Sequence, residues 1–117
     1  MEAVLALIFK NDKIIAVSRK NNPNDFGLIG GKLEENESHA HGLYREVEEE
    51  TGLKLIHGKK VFVRYDKDIK VTTYLCEAEG EIKTDEKGVV KEVTWEELFQ
   101  GTFGEYNRNL YNTLFIK

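Results

Sequence analysis

One segment sets the fold class. Between Ser38 and Thr51 the apolar residues Ala40, Leu43, Tyr44 and Val47 recur at three- and four-residue spacing, a helical period, and Gly52 supplies a C-terminal stop. What surrounds it is strand-like. Residues 3–9 and 13–18 are apolar runs separated by KNDK, and Asn11-Asp12 is turn chemistry, so they predict a β-hairpin. RKNNPND, residues 19–25, reads as a polar loop holding the only proline, Pro23. FGLIGGKLEENE reads as a short extended piece broken by Gly27, Gly30 and Gly31. KKVFVRYD and IKVTTYLCEAEG suit paired strands, KTDEKG a charged loop, VVKEVTW a strand and EELF a short helical turn. EYNRNLYNTLFIK puts Tyr106, Leu110, Tyr111, Leu114 and Phe115 on one helical face. The order strands, helix, strands, helix predicts an α/β protein with a mixed sheet between helices. With 117 residues and no repeat or linker, a single domain over 1–117 is expected.

The helix carries an oddity. REVEEETG, residues 45–52, crowds Glu46, Glu48, Glu49 and Glu50 beside Arg45. At about 100° per residue, Glu46, Glu49 and Glu50 fall within an arc of roughly 100°, next to the apolar stripe, and Glu48 lies opposite. Like charges three and four residues apart destabilise a helix by roughly 0.2–0.5 kcal/mol per pair, and the C-terminal end of the dipole adds to the cost. A bound cation explains the arrangement, and an oxygen-only ligand set suits Mg²⁺, Mn²⁺ or Ca²⁺ rather than zinc. A solvated glutamate-rich face explains it equally well, and the cluster alone does not separate the two.

The flanking residues separate them. Five residues lie between Gly31 and Glu37 and seven between Glu37 and Arg45; then come Arg45-Glu46-Val47, one residue, Glu49-Glu50, one residue, and Gly52-Leu53. This resembles the Nudix box, G-x5-E-x7-R-E-U-x-E-E-x-G-U with U aliphatic, at all nine fixed positions. The order of elements around Gly31–Leu53 is also similar to the Nudix hydrolase family, MutT-like members in particular, over nearly the whole chain. The resemblance implies a Nudix-type α/β/α sandwich and hydrolysis of a nucleoside diphosphate linked to another group, with divalent metal, Mg²⁺ or in its place Mn²⁺.

Carried over residue by residue, the resemblance makes Glu46, Glu49 and Glu50 metal ligands and Glu37 an accessory acid that binds metal or supports the loop leading into the helix. Arg45 then orients a glutamate by a charge-assisted hydrogen bond, with an ordinary surface ion pair as the plain alternative. Gly31 and Gly52 allow tight turns at the ends of the box, and Val47 and Leu53 belong to the core. Lys32 and Arg19 match positions that meet phosphate oxygens, although an exposed basic residue is usually just solvated. Metal ions would neutralise the diphosphate and acidify a bound water, and a carboxylate would take its proton. That base is a box glutamate in some members and an acid from a later loop in others; Glu86 falls where such a loop acid lies, with Asp85 and Glu92 near it. The box departs from the commoner pattern in having Ile29 where many members have proline, and Gly42 in mid-helix, which costs roughly 1 kcal/mol and suggests close packing or a weaker helix. His39 and His41 read as polar surface.

For the substrate, the chain as written lacks the N-terminal extension of many ADP-ribose pyrophosphatases, and no proline follows the box. Elimination and compactness favour a MutT-type pyrophosphatase of nucleoside triphosphates. Phe26 or Tyr74 would stack on the base and Asn107 would hydrogen-bond it, core or cap roles being the plain alternatives. An ADP-ribose or nucleotide-sugar pyrophosphatase is the second reading, and a Nudix module that senses a nucleotide without cleaving it the third. A net charge of −4 argues against a nucleic-acid polymer or an anionic membrane as partner, and a small nucleotide, with the protein as monomer or homodimer, is expected. MEAVLALIF is too short to span a bilayer and begins with Glu2, so it reads as a strand. Cys76 is the only cysteine and sits in an apolar run, predicting a buried thiol; with no targeting signal visible, a cytoplasmic protein is expected.

Overall fold

The computed structural model describes residues 1–83 and 89–116. The first apolar run is long enough to serve two partners and does so by breaking at Ile8. Its first part, β1 (Glu2–Leu7), runs antiparallel to β4 (Asn22–Lys32) and parallel to β6 (Ile69–Glu79). Its second part, β2 (Phe9–Lys10), turns back onto β3 (Lys13–Arg19) through Asn11 and Asp12, both at positive φ. The predicted hairpin therefore exists, but most of its first strand pairs elsewhere. β5 (Lys54–Asp66) closes one edge against β6, and β7 (Val90–Val93) pairs with β3. The resulting order is β2-β3-β4-β1-β6-β5, mixed as expected.

Apolar alternation along these strands makes two cores. Val4, Ala6, Ile8, Ile15 and Ile29 face α1 (His39–Thr51), where Leu43 and Val47 meet them. Leu7, Ile14, Ala16 and Leu28 face the other way, toward Leu98 of α2 (Trp95–Phe99) and Leu110 of α3 (Gly104–Phe115). Helices thus cover both faces of the sheet.

Three readings need correction. Residues 22–25 belong to β4, so the polar loop after β3 shrinks to a turn at Lys20-Asn21; the register of β3 shifts at Ser18/Arg19, which brings Arg19 opposite Asn22. Second, β4 runs unbroken through Gly27, Gly30 and Gly31, because these glycines make room for neighbours rather than end the strand. Third, the buried stripe of α1 is Gly42, Leu43, Val47 and Thr51, while Ala40 and Tyr44 are exposed. Gly42 explains the rotation: a Cβ there would stand 2.3 Å from Leu33 Cδ2, so the helix packs closely at its glycine. Ser38 caps the helix by accepting the His41 N–H at 3.1 Å, and Gly52 ends it in the left-handed conformation at φ 78°. Cys76 is buried, and burial pushes its thiol up to about 12. The charged loop KTDEKG lies, from residue 84 on, outside the described residues. No helix among those described is long and apolar enough to cross a membrane.

Candidate active site

The box begins where β4 leaves the sheet. Gly30 has φ +148°, and a Cβ on it would stand 2.1 Å from the Val4 carbonyl oxygen, so no other residue fits. Its N–H donates to Glu50 Oε1 at 2.8 Å. Gly31, expected to form a turn, instead remains in the strand opposite Val4. What it supplies is space: a Cβ on Gly31 would stand 2.9 Å from Glu46 Oε2. The two glycines thus let two carboxylates of α1 lie directly against the end of β4.

Arg45 gathers the rest. Its Nε and Nη2 donate to the two oxygens of Glu37 at 2.7 and 2.8 Å, a bidentate pair, and Nη1 donates to Glu46 at 2.6 Å and Glu49 at 3.3 Å. Nε also lies 3.2 Å from Glu34, and Nη2 reaches the Lys32 carbonyl at 3.4 Å. Glu37 has only 4% of its side chain exposed. The Arg45 guanidinium and the N–H of Glu34, with His41 adding a bond of 2.8 Å, hold the Glu37 carboxyl well below the usual carboxylate range. The same Glu37 contact raises Arg45 further above its already high value. His39 is tied away from this cluster, to Tyr74 Oη at 2.8 Å and Glu2 at 2.9 Å.

Among the described residues no three acids, histidines or cysteines already stand around one point as an ion cage. Glu46 and Glu49 meet on Arg45 instead. The donor set nevertheless fits a hard divalent ion. It is all oxygen, it lies along one helix edge, and Gly31 leaves a cradle for the Glu46 carboxylate that any side chain would fill.

Beside this edge opens a cleft of about 300 Å³, lined by Gly30, Gly31, Lys32 and Glu50 on one side and by Arg19, Asp66, Phe103, Tyr106 and Asn107 around it. It joins four of the residues singled out in the sequence: Arg19, Lys32, Glu50 and Asn107. Asn107 is 1% exposed, and its Nδ2 has no hydrogen-bond partner among the described residues. Phe26 is not among the lining residues. It is 6% exposed and packed in the core with Leu98 and Leu110, while its neighbours Gly27 and Leu28 line the cleft, and burial of its ring corrects the stacking role expected for it. Tyr74 likewise faces the α1 side. Glu92 is on β7 with Asn11 as its neighbour at 3.5 Å. Glu86 and Asp85 lie outside the described residues.

Sequence reasoning missed Asp66, Phe103 and Tyr106 as cleft residues. Phe103 carried a signal, a large aromatic between Gly101 and Gly104 in the turn before the last helix. Tyr106 is fixed by a hydrogen bond of 2.6 Å to Thr73 and an edge-on contact with Phe62, and burial pushes its phenol up to about 12.

A mixed sheet with helices on both faces, and with glutamates along one helix edge beside a cleft, makes this an α/β protein with an acidic site. The particular family follows from comparison: the NUDIX domain matches residues 1–114, so the chain belongs to the Nudix family and is a Nudix hydrolase. Enzymes of this family generally use divalent metals and act on small nucleotide substrates. A protein of Methanocaldococcus jannaschii described as an ADP-ribose pyrophosphatase is 45% identical over 53 residues, which are 44% of this chain and 31% of that relative. The chain therefore spans under a third of that relative's length in this match. The crystal structure of a MutT Nudix hydrolase from Burkholderia pseudomallei superposes with a TM-score of 0.80 at 23% identity, over 97% of this chain and 96% of that one. An ADP-ribose pyrophosphatase from Streptococcus suis gives 0.79 at 22%, over 97% and 88%. At these identities the two structures establish the fold alone.

Proposed function

We propose that this Nudix hydrolase is a MutT-type pyrophosphatase that splits a nucleoside triphosphate into the monophosphate and pyrophosphate with Mg²⁺, for which Mn²⁺ can substitute. The observation that carries this reading is Asn107: a buried amide donor without a partner among the described residues, in the same cleft as Glu50, Arg19 and Lys32. A buried unpaired donor costs about 1–3 kcal/mol, and a ligand acceptor such as a base carbonyl relieves it.

Glu46, Glu49 and Glu50 would hold the ion, with Glu37 supporting them through Arg45. When bound, such an ion neutralises the phosphates and acidifies a water at phosphorus. Lys32 and Arg19 hold the phosphate oxygens, and one of the box glutamates, or Glu86, takes the proton of the attacking water. The Gly30 N–H fixes Glu50 at the cleft wall, so that this carboxylate is positioned before substrate arrives.

A second reading, ADP-ribose pyrophosphatase, is favoured by the description of the Methanocaldococcus jannaschii relative. Both are tested by one panel of dNTPs, NTPs, ADP-ribose and nucleotide sugars with Mg²⁺ and Mn²⁺, reading phosphate after a coupling phosphatase. Turnover of triphosphates that stops with chelator, and drops at least about a hundredfold in Glu49→Gln, is the expected result. Preference for ADP-ribose moves the assignment to the second reading, and unchanged activity in Glu49→Gln overturns the site.

A further inference from the structure

Phe103 is out of place for a turn residue: a large ring, 47% exposed, between two glycines. It is nevertheless held firmly. Asp25, on β4, accepts the Thr102 N–H on Oδ1 at 2.8 Å, and the Thr102 hydroxyl donates to Oδ2. The turn comes so close to β4 that a Cβ on Gly101 would stand 2.7 Å from both Asp25 Oδ1 and the Phe26 carbonyl oxygen. On the far side of Asp25, Arg19 Nε stands 3.9 Å from Oδ2, and the Arg19 guanidinium lies over the Phe103 ring at 5.8 Å from its centroid. The ring itself rests against Gly27, where an added Cβ would be 3.6 Å from Phe103 Cδ2. One carboxylate thus ties together a strand, a turn 77 residues away in sequence and the cation beside that turn's aromatic ring.

We propose that Asp25 is a positioning residue: it fixes Phe103 and Arg19 as one wall of the cleft, on which the aromatic base of the substrate stacks while Arg19 meets the phosphates. This rests on the nucleotide reading given above and deepens it, since it requires a substrate with a planar ring close to its phosphate chain. A base-stacking platform must be exposed until the base arrives, and Phe103 is an exposed ring on the cleft wall. The bonds from Thr102, ahead of Arg19, hold the Asp25 carboxyl below its ordinary range, so the tie is in its charged form throughout neutral pH.

The test separates base from phosphate. For wild type, Phe103→Ala, Phe103→Leu, Asp25→Ala, Thr102→Val and the Asp25→Ala/Phe103→Ala double variant, KM and kcat are measured with the best triphosphate of the panel. The inhibition constant of inorganic tripolyphosphate, which has no base, is measured alongside. Loss of the ring is expected to raise KM about tenfold, the order of one stacked base, with kcat little changed and tripolyphosphate inhibition unmoved. Asp25→Ala is expected to raise KM at least as much in the wild-type background and, once Phe103 is gone, to add only the part that tripolyphosphate inhibition also shows, through Arg19. A simple structural staple would not give that non-additivity, and Thr102→Val gives the milder form of the effect if Asp25→Ala melts too early to assay. Unchanged KM in Phe103→Ala and Phe103→Leu, or equal losses for nucleotide and tripolyphosphate, overturns the proposal. If wild type turns over no nucleotide, the function reading has failed; calorimetric titration of nucleotide into wild type and Phe103→Ala then tests the wall by itself, equal affinity overturning it.

Discussion

At the scale of single residues, the site is built as much from missing side chains as from present ones. Glu46 lies against β4 only because Gly31 has no Cβ, and Glu50 reaches a backbone N–H only because Gly30 takes a conformation closed to other residues. This makes Gly31 separable from stability. In Gly31→Ala the new methyl meets the end of a mobile glutamate and not backbone, so the side chain swings aside at small cost to folding. The metal ligand is displaced with it. We expect activity to fall at least about tenfold while Tm moves by no more than a few degrees, checked by melting and steady-state kinetics on the same sample. The glutamates were legible in sequence because their common edge follows from helical period alone. The reason for Gly31 was not, since it depends on where a side chain fifteen positions later comes to rest. Phe26 shows the same limit: Leu28, two positions on, shares its strand face and lines the cleft, whereas Phe26 is covered by Leu98 and Leu110, which no strand pattern shows.

At the scale of elements, α1 was read correctly at both ends because caps are local chemistry, and its inner face was read correctly at Leu43 and Val47 only, because packing is not local. The apolar spacing pointed to Ala40 and Tyr44, yet the helix turns Gly42 and Thr51 inward, where Leu33 and Val4 come closest. Thr51 satisfies its hydroxyl on the Val47 carbonyl at 2.6 Å and so tolerates burial. The strands show the converse: β4 contains three glycines and a proline that would normally end it, and it persists because β3 pairs with its first part and β1 takes over from Ile29 to Lys32. Removal of the Ser38 hydroxyl frees one N–H of the first turn of α1, which carries no acidic residue to compensate. Ser38→Ala is therefore expected to cost about 1 kcal/mol, a fall in Tm of roughly 4 °C, with activity near wild type below the transition. A larger loss of activity than of stability would mean that the cap sets the metal edge and not only the helix end.

At the scale of the whole molecule, the cleft draws on residues from 3 to 107, and no window of sequence contains it. Its floor was legible through the box; its other wall was not, because Asp66 and Phe103 arrive from the β5–β6 hairpin and the turn before α3. The charge distribution leads to the last prediction. The chain carries −4 overall, and the Arg45 guanidinium lies within ion-pair distance of Glu34, Glu37, Glu46 and Glu49, with His41 also beside Glu37. A divalent ion that binds the folded chain and not the unfolded one adds about 2.7 kcal/mol at a hundred times its dissociation constant. Melting with Mg²⁺ or Mn²⁺ is thus expected to give a Tm several degrees above that in chelator, and the increment is expected to shrink in Glu49→Gln. Acid should act on a separate part of the same network. Glu37 and Asp25 have folded-state values below the ordinary carboxylate range, so their contribution is complete above that range and is lost as pH falls through the folded values. In chelator, stability should therefore hold from neutral pH down to about pH 5 and fall progressively below about pH 4. In Arg45→Gln the Glu37 carboxyl loses its principal partner, so its value rises toward the ordinary range and the acid-dependent loss becomes smaller on a lower starting stability. An acid limb as steep as that of wild type would assign the pH dependence to carboxylates other than Glu37.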